Sequence, residues 1–248
     1  MKALFDASGE VLVVTGGARG IGAALARGYA AAGGTSIVLD VTPAEELDGI
    51  DGIEQYAIDV SDRAAVHTAV QKVVADHRRV DALVAGAAVQ PRTPVSETSP
   101  EEWRRTLSVN LDGVLWSCQA VLPHMRERRS GAILVFASGL AHMGRAEASA
   151  YAASKGALIP FAKSLAAEVA DDRIRVNTVL PGVIDTPQFR AANPTGGERE
   201  HWERTTGIGT PEDVVGPLLF LLSDAATMTG STLTRDRAFS TSTEGVTP

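Results

Sequence analysis

The chain has 248 residues, 44% of them hydrophobic and 21% charged, which is enough to bury a proper core and fits one α/β domain spanning 1–248. A formal charge of -7 argues against a duplex-binding surface, which normally carries an excess or stripe of Lys and Arg. With no run of about 18 apolar residues, no signal-peptide pattern in MKALFDASGE and a lone Cys118, a cytoplasmic protein without membrane, nucleic-acid or disulfide partners is expected.

Short β-branched runs alternate with longer Ala-rich segments of helical period, the pattern of βαβ units. It predicts an α/β fold: a Rossmann-like doubly wound parallel sheet of about seven strands with helices on both faces. The first strand, 11–15, leads into Thr15-Gly16-Gly17-Ala18-Arg19-Gly20-Ile21-Gly22 and then a helix. Glycines let this turn approach a pyrophosphate closely, and the helix N-terminus favours its charge, so Gly16, Arg19, Gly20, Ile21 and Gly22 are candidate cofactor contacts. Asp40 closes the second strand, 36–40, where a carboxylate accepts ribose hydroxyls and repels a 2′-phosphate. That favours NAD over NADP, although Arg19 could pair with a 2′-phosphate.

Strands follow at 53–58 and 82–86, and Ser99-Pro100-Glu101-Glu102 then reads as a capping box. The long helix it starts contains Asn110, a polar residue among apolar neighbours that needs a buried partner or a functional water. Ser138 ends the strand 132–137, at the carboxyl edge where open sheets bind ligands. Tyr151 and Lys155 stand four apart on a helix running to about Ala170, which puts them on one face, roughly 6 Å apart along the axis. An ammonium beside a phenol would make it a usable acid and base, although such pairs also occur as plain surface neighbours.

A strand at 174–180 precedes an irregular stretch, Thr186–Gly209, whose section 187–209 reads either as a mobile substrate lid or as a solvated connection. Thr210-Pro211-Glu212-Asp213 starts another helix, a last strand lies at 230–235, and the polar tail 238–248 reads as disordered. The five histidines show no paired ligand spacing, so no metal is expected. Gln90, Gly139, Leu140, His142, Met143, Gln188, Phe189 and Trp202 fall after strand ends or in the lid and are candidate substrate walls. Their mixed polarity suits a modest, partly hydroxylated or cyclic molecule. His142 either meets a substrate hydroxyl or caps a turn.

The glycine turn, Asn110, Ser138 and Tyr151-Ala152-Ala153-Ser154-Lys155, in this order, resemble the short-chain dehydrogenase/reductase family from about residue 8 to 234. The resemblance implies a single-domain oxidoreductase, active as a homodimer or homotetramer on a small-molecule alcohol or ketone with NAD. It assigns Ser138 to the substrate oxygen, Tyr151 to proton exchange, Lys155 to lowering the phenol pKa and binding the nicotinamide ribose, and Asn110 to a water linking Lys155 to solvent. Asp59 and Val60 would meet the adenine, Ala87 the cofactor, and Ile184 and Thr186 the carboxamide. Ala85-Gly86-Ala87-Ala88 departs from the family's Asn-Asn-Ala-Gly, so side-chain bonds that brace the sheet there are expected to be missing. Pro160 should bend the catalytic helix. Two other readings stand beside the dehydrogenase: an NADPH-dependent reductase of 3-oxoacyl thioesters, its acidic carrier meeting Arg126, Arg128 and Arg129, and a non-catalytic dinucleotide sensor.

Overall fold

A computed structural model describes residues 4–235. Its parallel sheet contains β1 (Val11–Thr15), β2 (Thr35–Asp40), β3 (Ile53–Ala57), β4 (Ala82–Ala85), β5 (Gly131–Phe136), β6 (Ile174–Leu180) and β7 (Thr232–Thr234). Their spatial order is β3-β2-β1-β4-β5-β6-β7, so the direction of winding reverses between β1 and β4. In an open parallel sheet the crevice beyond the carboxyl ends at this switch is where ligands bind.

Central strands are buried on both sides, which is why they read as continuous apolar runs rather than alternating ones. Along β1, Val11 and Val13 face one core while Leu12 and Val14 face the other. The first core is completed by α2 (Arg63–His77), α4 (Gly113–Arg128) and α6 (Ser149–Glu168), through residues such as Val70, Val121 and Leu158. The second is completed by α1 (Gly20–Ala31) and α9 (Glu212–Leu222), through Leu25, Leu218 and Leu221. Each such fully buried aliphatic side chain contributes roughly 1.5–3 kcal/mol relative to exposure.

Helix starts follow the predicted chemistry in part. Ser99 Oγ accepts the Glu102 N–H at 3.1 Å and Pro100 opens α3 (Pro100–Leu107), but the Glu102 carboxylate bonds Thr93 instead of closing the box. At the start of α9 only the reverse half forms, with Thr210 N–H donating to Asp213 at 2.8 Å.

One expectation is corrected. The stretch 186–209 is not irregular: it forms α7 (Pro187–Ala192) and α8 (Gly196–Thr205), after a short α5 (Leu140–Met143) earlier in the chain. Thr186 Oγ1 caps α7 through the Phe189 N–H, and Thr195 with Glu198 makes a reciprocal capping box on α8. Pro160 lies inside α6, where the sequence placed it. Its ring is exposed, where it meets solvent rather than a neighbouring helix. The tail 238–248 lies outside the described residues.

Candidate active site

A cavity of about 730 Å³ opens at the carboxyl edge of the sheet, on the β1/β4 switch. Every predicted cofactor contact lines it: Gly16, Arg19, Gly20, Ile21, Gly22, Asp40, Asp59, Val60, Ala87, Tyr151, Lys155, Ile184 and Thr186.

The glycine turn is built by close packing. A Cβ on Gly16, whose φ is +69°, would come within 2.6 Å of the Ala87 backbone, and one on Gly22 would come within 2.5 Å of the Gly16 carbonyl. Only glycine lets α1 start this close to β4. The first turn of a helix leaves backbone N–H groups without intrahelical partners, and here no side chain caps them and no acidic residue stands among them. Such a start suits a phosphate, so the residues present fit the diphosphate of a dinucleotide.

Asp40 is buried at the end of β2. One carboxylate oxygen accepts the Ala18 N–H at 3.1 Å and the other the Thr42 N–H at 3.4 Å, so the side chain also holds the turn. Each oxygen keeps a lone pair for a further donor. The Arg19 side chain is exposed and has no hydrogen-bond or ion-pair partner among the described residues. Asp59 accepts from Ser61 and pairs with Arg105 at 2.9 Å. Burial raises its pKa, but these partners outweigh burial and hold the carboxyl below its usual range.

The segment after β4 is braced in spite of its alanines. Thr15 Oγ1, from β1, accepts the N–H groups of Gly86 and Ala87 at 3.2 and 3.3 Å. Asn110 clamps the next residues: its Oδ1 accepts the Val89 N–H at 2.8 Å and its Nδ2 donates to the Val89 carbonyl at 2.9 Å. The expected bracing bonds are therefore supplied from elsewhere in the fold. Asn110 sits not in a regular α-helix but in a π-helical turn, Ser108–Asp112, between α3 and α4. The extra residue in that turn accompanies a fully buried amide, which also donates to Ser154 Oγ at 3.0 Å. Ser154 in turn donates to the Tyr151 carbonyl at 2.7 Å, which links β4 to the start of α6. Asn110 makes no bond to Lys155 and does not line the cavity.

Ser138, Tyr151 and Lys155 all line the cavity. Burial pushes the Tyr151 phenol up, and the Ser138 hydroxyl opposes that shift. Lys155 is fully buried; its ammonium donates to the Phe136 carbonyl at 2.6 Å and lies 5.9 Å from the centre of the Tyr151 ring. Burial brings its pKa down to about 8. Burial is thus the larger influence on the Tyr151 phenol in this arrangement, with the Lys155 ammonium beside the ring.

Among the substrate candidates, Gln90, Gly139, Leu140, Met143, Gln188, Phe189 and Trp202 line the cavity, and Gln188 Nε2 meets Gln90 Oε1 at 3.4 Å. His142 does not: it is exposed on α5 and outside the lining, because the short helix turns it away. Sequence reasoning missed Arg145, Asn193, Glu102 and Arg105, which also line the cavity. Arg145 and Asn193 are partners 48 positions apart, so no local pattern announces them. The Thr195–Glu198 spacing is the local signal that could have found α8.

No helix among the described residues is long and apolar enough to cross a membrane, and no group of three or more potential metal ligands occurs among them. The family profile described as short chain dehydrogenase matches residues 10–196. The chain is 37% identical over 233 residues to a D-threitol dehydrogenase of Mycolicibacterium smegmatis, covering 90% of each sequence. It is 35% identical over 239 residues to a 3-oxoacyl acyl-carrier-protein reductase of Chlamydia pneumoniae, covering 92% of this chain and 96% of the relative. Among solved structures it is similar to a gluconate 5-dehydrogenase of Burkholderia cenocepacia in complex with NADP and tartrate. The TM-score is 0.88 at 32% identity, over 94% of this chain and 96% of the other.

Proposed function

The chain belongs to the short chain dehydrogenase family, and from that membership we propose that it oxidises a small secondary alcohol, or reduces the matching ketone, with NAD as its preferred cofactor. The observation that carries this reading is the convergence of the glycine turn, Ser138, Tyr151 and Lys155 on one cavity. When bound, a nicotinamide dinucleotide takes a hydride from the substrate carbon or returns it. Gly20, Ile21 and Gly22 at the start of α1 hold its diphosphate, Asp40 its adenosine ribose, and Ile184 and Thr186 border its other end.

The protein's own work is to position the substrate oxygen and move one proton. The Ser138 hydroxyl holds that oxygen against Tyr151. In ketone reduction the Tyr151 Oη–H gives its proton to the oxygen as it gains charge; in alcohol oxidation the phenolate takes the proton back. Burial favours the protonated phenol, which suits the donor role. The Lys155 ammonium, fixed by the Phe136 carbonyl, supplies positive charge near the ring and a donor toward the cofactor ribose. Asn110 acts through position, locking Val89 and Ser154 and so the wall of the cavity.

Preference for NAD rests on Asp40, whose charge would meet a 2′-phosphate. The NADP in the gluconate 5-dehydrogenase structure supports the opposite choice for that relative. The 3-oxoacyl reductase reading draws support from the Chlamydia relative. Against it, the guanidinium groups that would greet an acidic carrier have partners in this chain: Arg126 pairs with Glu168 and Asp172, Arg128 with Asp81, and Arg129 with the Asp171 carbonyl.

The test is reduction of NAD, followed by absorbance, across a panel of secondary alcohols for wild type and Tyr151→Phe. Loss of the phenolic proton carrier should lower turnover by about 10²-fold or more while cofactor binding stays near wild type. Substantial turnover by the variant would remove Tyr151 from its role.

A further inference from the structure

The mechanism leaves one group of charged side chains without a task. Arg145, between α5 and α6, lines the same cavity as Ser138 and Tyr151, and only 18% of its side chain is exposed. Its guanidinium lies 5.6 Å from the centre of the Trp202 ring. It donates to Asn193 Oδ1 at 2.8 Å and to Glu198 Oε1 at 2.7 Å. Asn193 is itself fixed, because Oδ1 also accepts the Trp202 indole N–H at 3.0 Å and Nδ2 donates to the Phe189 carbonyl at 2.8 Å. Arg145 is therefore held in place by the end of α7 and by α8. The two bonds engage one N–H on each terminal nitrogen, and the guanidinium fork carries more donors than that; the rest have no partner among the described residues.

The surrounding charge is unevenly shared. Glu198 Oε1 also takes Arg92 at 3.1 Å, so two guanidinium groups divide one carboxylate oxygen. The other carboxylate bound by Arg92, Glu147 at 2.7 Å, is 44% exposed and so partly screened by water. Glu102 lines the cavity but accepts from Thr93 rather than from either arginine. Burial and the nearby Arg92 charge both oppose the charge on Arg145, and Glu198 and Glu147 together do not fully offset them. An anion in the cavity would engage the remaining donors and offset the repulsion between the two arginines.

We propose that Arg145 selects the substrate of this site, and that the substrate is a hydroxy acid or keto acid whose carboxylate pairs with Arg145 while its secondary hydroxyl or ketone meets Ser138 and Tyr151. The proposal rests on the dehydrogenase reading for its reaction and on Arg145 for its specificity. A merely structural Arg145, tying α8 to the rim, would affect charged and neutral substrates alike when replaced.

The experiment measures kcat and KM for wild type, Arg145→Gln and Arg145→Lys on hydroxy acids of four to six carbons. Each acid is matched with the polyol in which a hydroxymethyl group replaces the carboxylate, and with that polyol's phosphate ester. Calorimetric titration of the same acids into the cofactor-loaded proteins runs alongside, and thermal melting checks that each variant folds. Wild type should prefer the acid over its polyol by about tenfold or more in kcat/KM. Arg145→Gln should erase that preference through a higher KM for the acid, and Arg145→Lys should keep part of it. An equal preference in wild type and Arg145→Gln, or a wild-type preference for the polyol, overturns the proposal; a preference for the phosphate ester overturns the carboxylate assignment. If no compound turns over, acid binding that Arg145→Gln loses sustains the pairing of a carboxylate with Arg145 and counts against the dehydrogenase reading. Turnover of neutral alcohols with no binding of acids does the reverse.

Discussion

Lys155 shows how burial sets both charge and stability at a single residue. Its pKa of about 8 in the folded protein lies below the 10.5 of an exposed lysine. Between those values the unfolded chain binds a proton that the folded chain does not, so stability rises with pH across that window. Below about pH 8 both states are protonated and the folded protein carries the full cost of a buried ammonium. Wild type should therefore gain stability relative to Lys155→Met from about pH 8 to 10.5 and show a constant difference at lower pH. Urea denaturation of both proteins at stepped pH checks this, and a flat difference throughout would mean that Lys155 titrates as if exposed. The spacing of Tyr151 and Lys155 was legible in the sequence because a helix period is local. The bond that orients Lys155 was not, since the Phe136 carbonyl is 19 positions away and belongs to β5.

At the scale of elements, the join between β1 and β4 is held by side chains that stand in for the missing asparagines. Thr15 is nearly fully buried, and its hydroxyl accepts two backbone N–H groups just beyond β4. Thr15→Val keeps the shape but strands the Ala87 N–H, while Gly86 retains its bond to the Thr15 carbonyl. A loss of about 0.5–1.5 kcal/mol is expected from one hydrogen bond lost at a part-buried donor, measured as a shift in the denaturation midpoint. A shift within experimental error would show that the clamp by Asn110 alone suffices. The strands, and the starts of α3 and α9, could be read in advance from apolar runs and capping residues. The π-helical turn at Ser108–Asp112 could not, because no residue type in it encodes an extra residue per turn. It exists where the Asn110 amide reaches Val89 and Ser154, groups that only the folded chain brings near. The helices α7 and α8 lay in plain sight as Thr-capped starts, yet their prolines, glycines and charges read as loop.

For the molecule as a whole, cofactor binding and folding are linked, since only the folded chain presents α1, β2 and β4 to one cavity. A cofactor present at 100 times its dissociation constant should stabilise the fold by about 2.7 kcal/mol. With NAD preferred, the melting temperature should rise more with NADH than with equal NADPH, and Asp40→Ala should narrow the gap. Equal shifts in wild type would dismiss Asp40 as the reader of the ribose. Because Asp40 also accepts the Ala18 N–H, the variant should melt lower without cofactor too, so the comparison is made between the two shifts.

Local chemistry alone determined the alternation of strands and helices, the glycine turn that only residues without Cβ can make, and the helix face shared by Tyr151 and Lys155. Each of these depends on neighbours within about one or two turns of chain. The tertiary structure decided the placement of His142 outside the cavity, the bracing of β4 by Thr15 and Asn110, and the seating of Arg145 among Asn193, Glu198 and Trp202. Those pairings join residues that are far apart in sequence, and only the packing of helices on a twisted sheet brings them into contact.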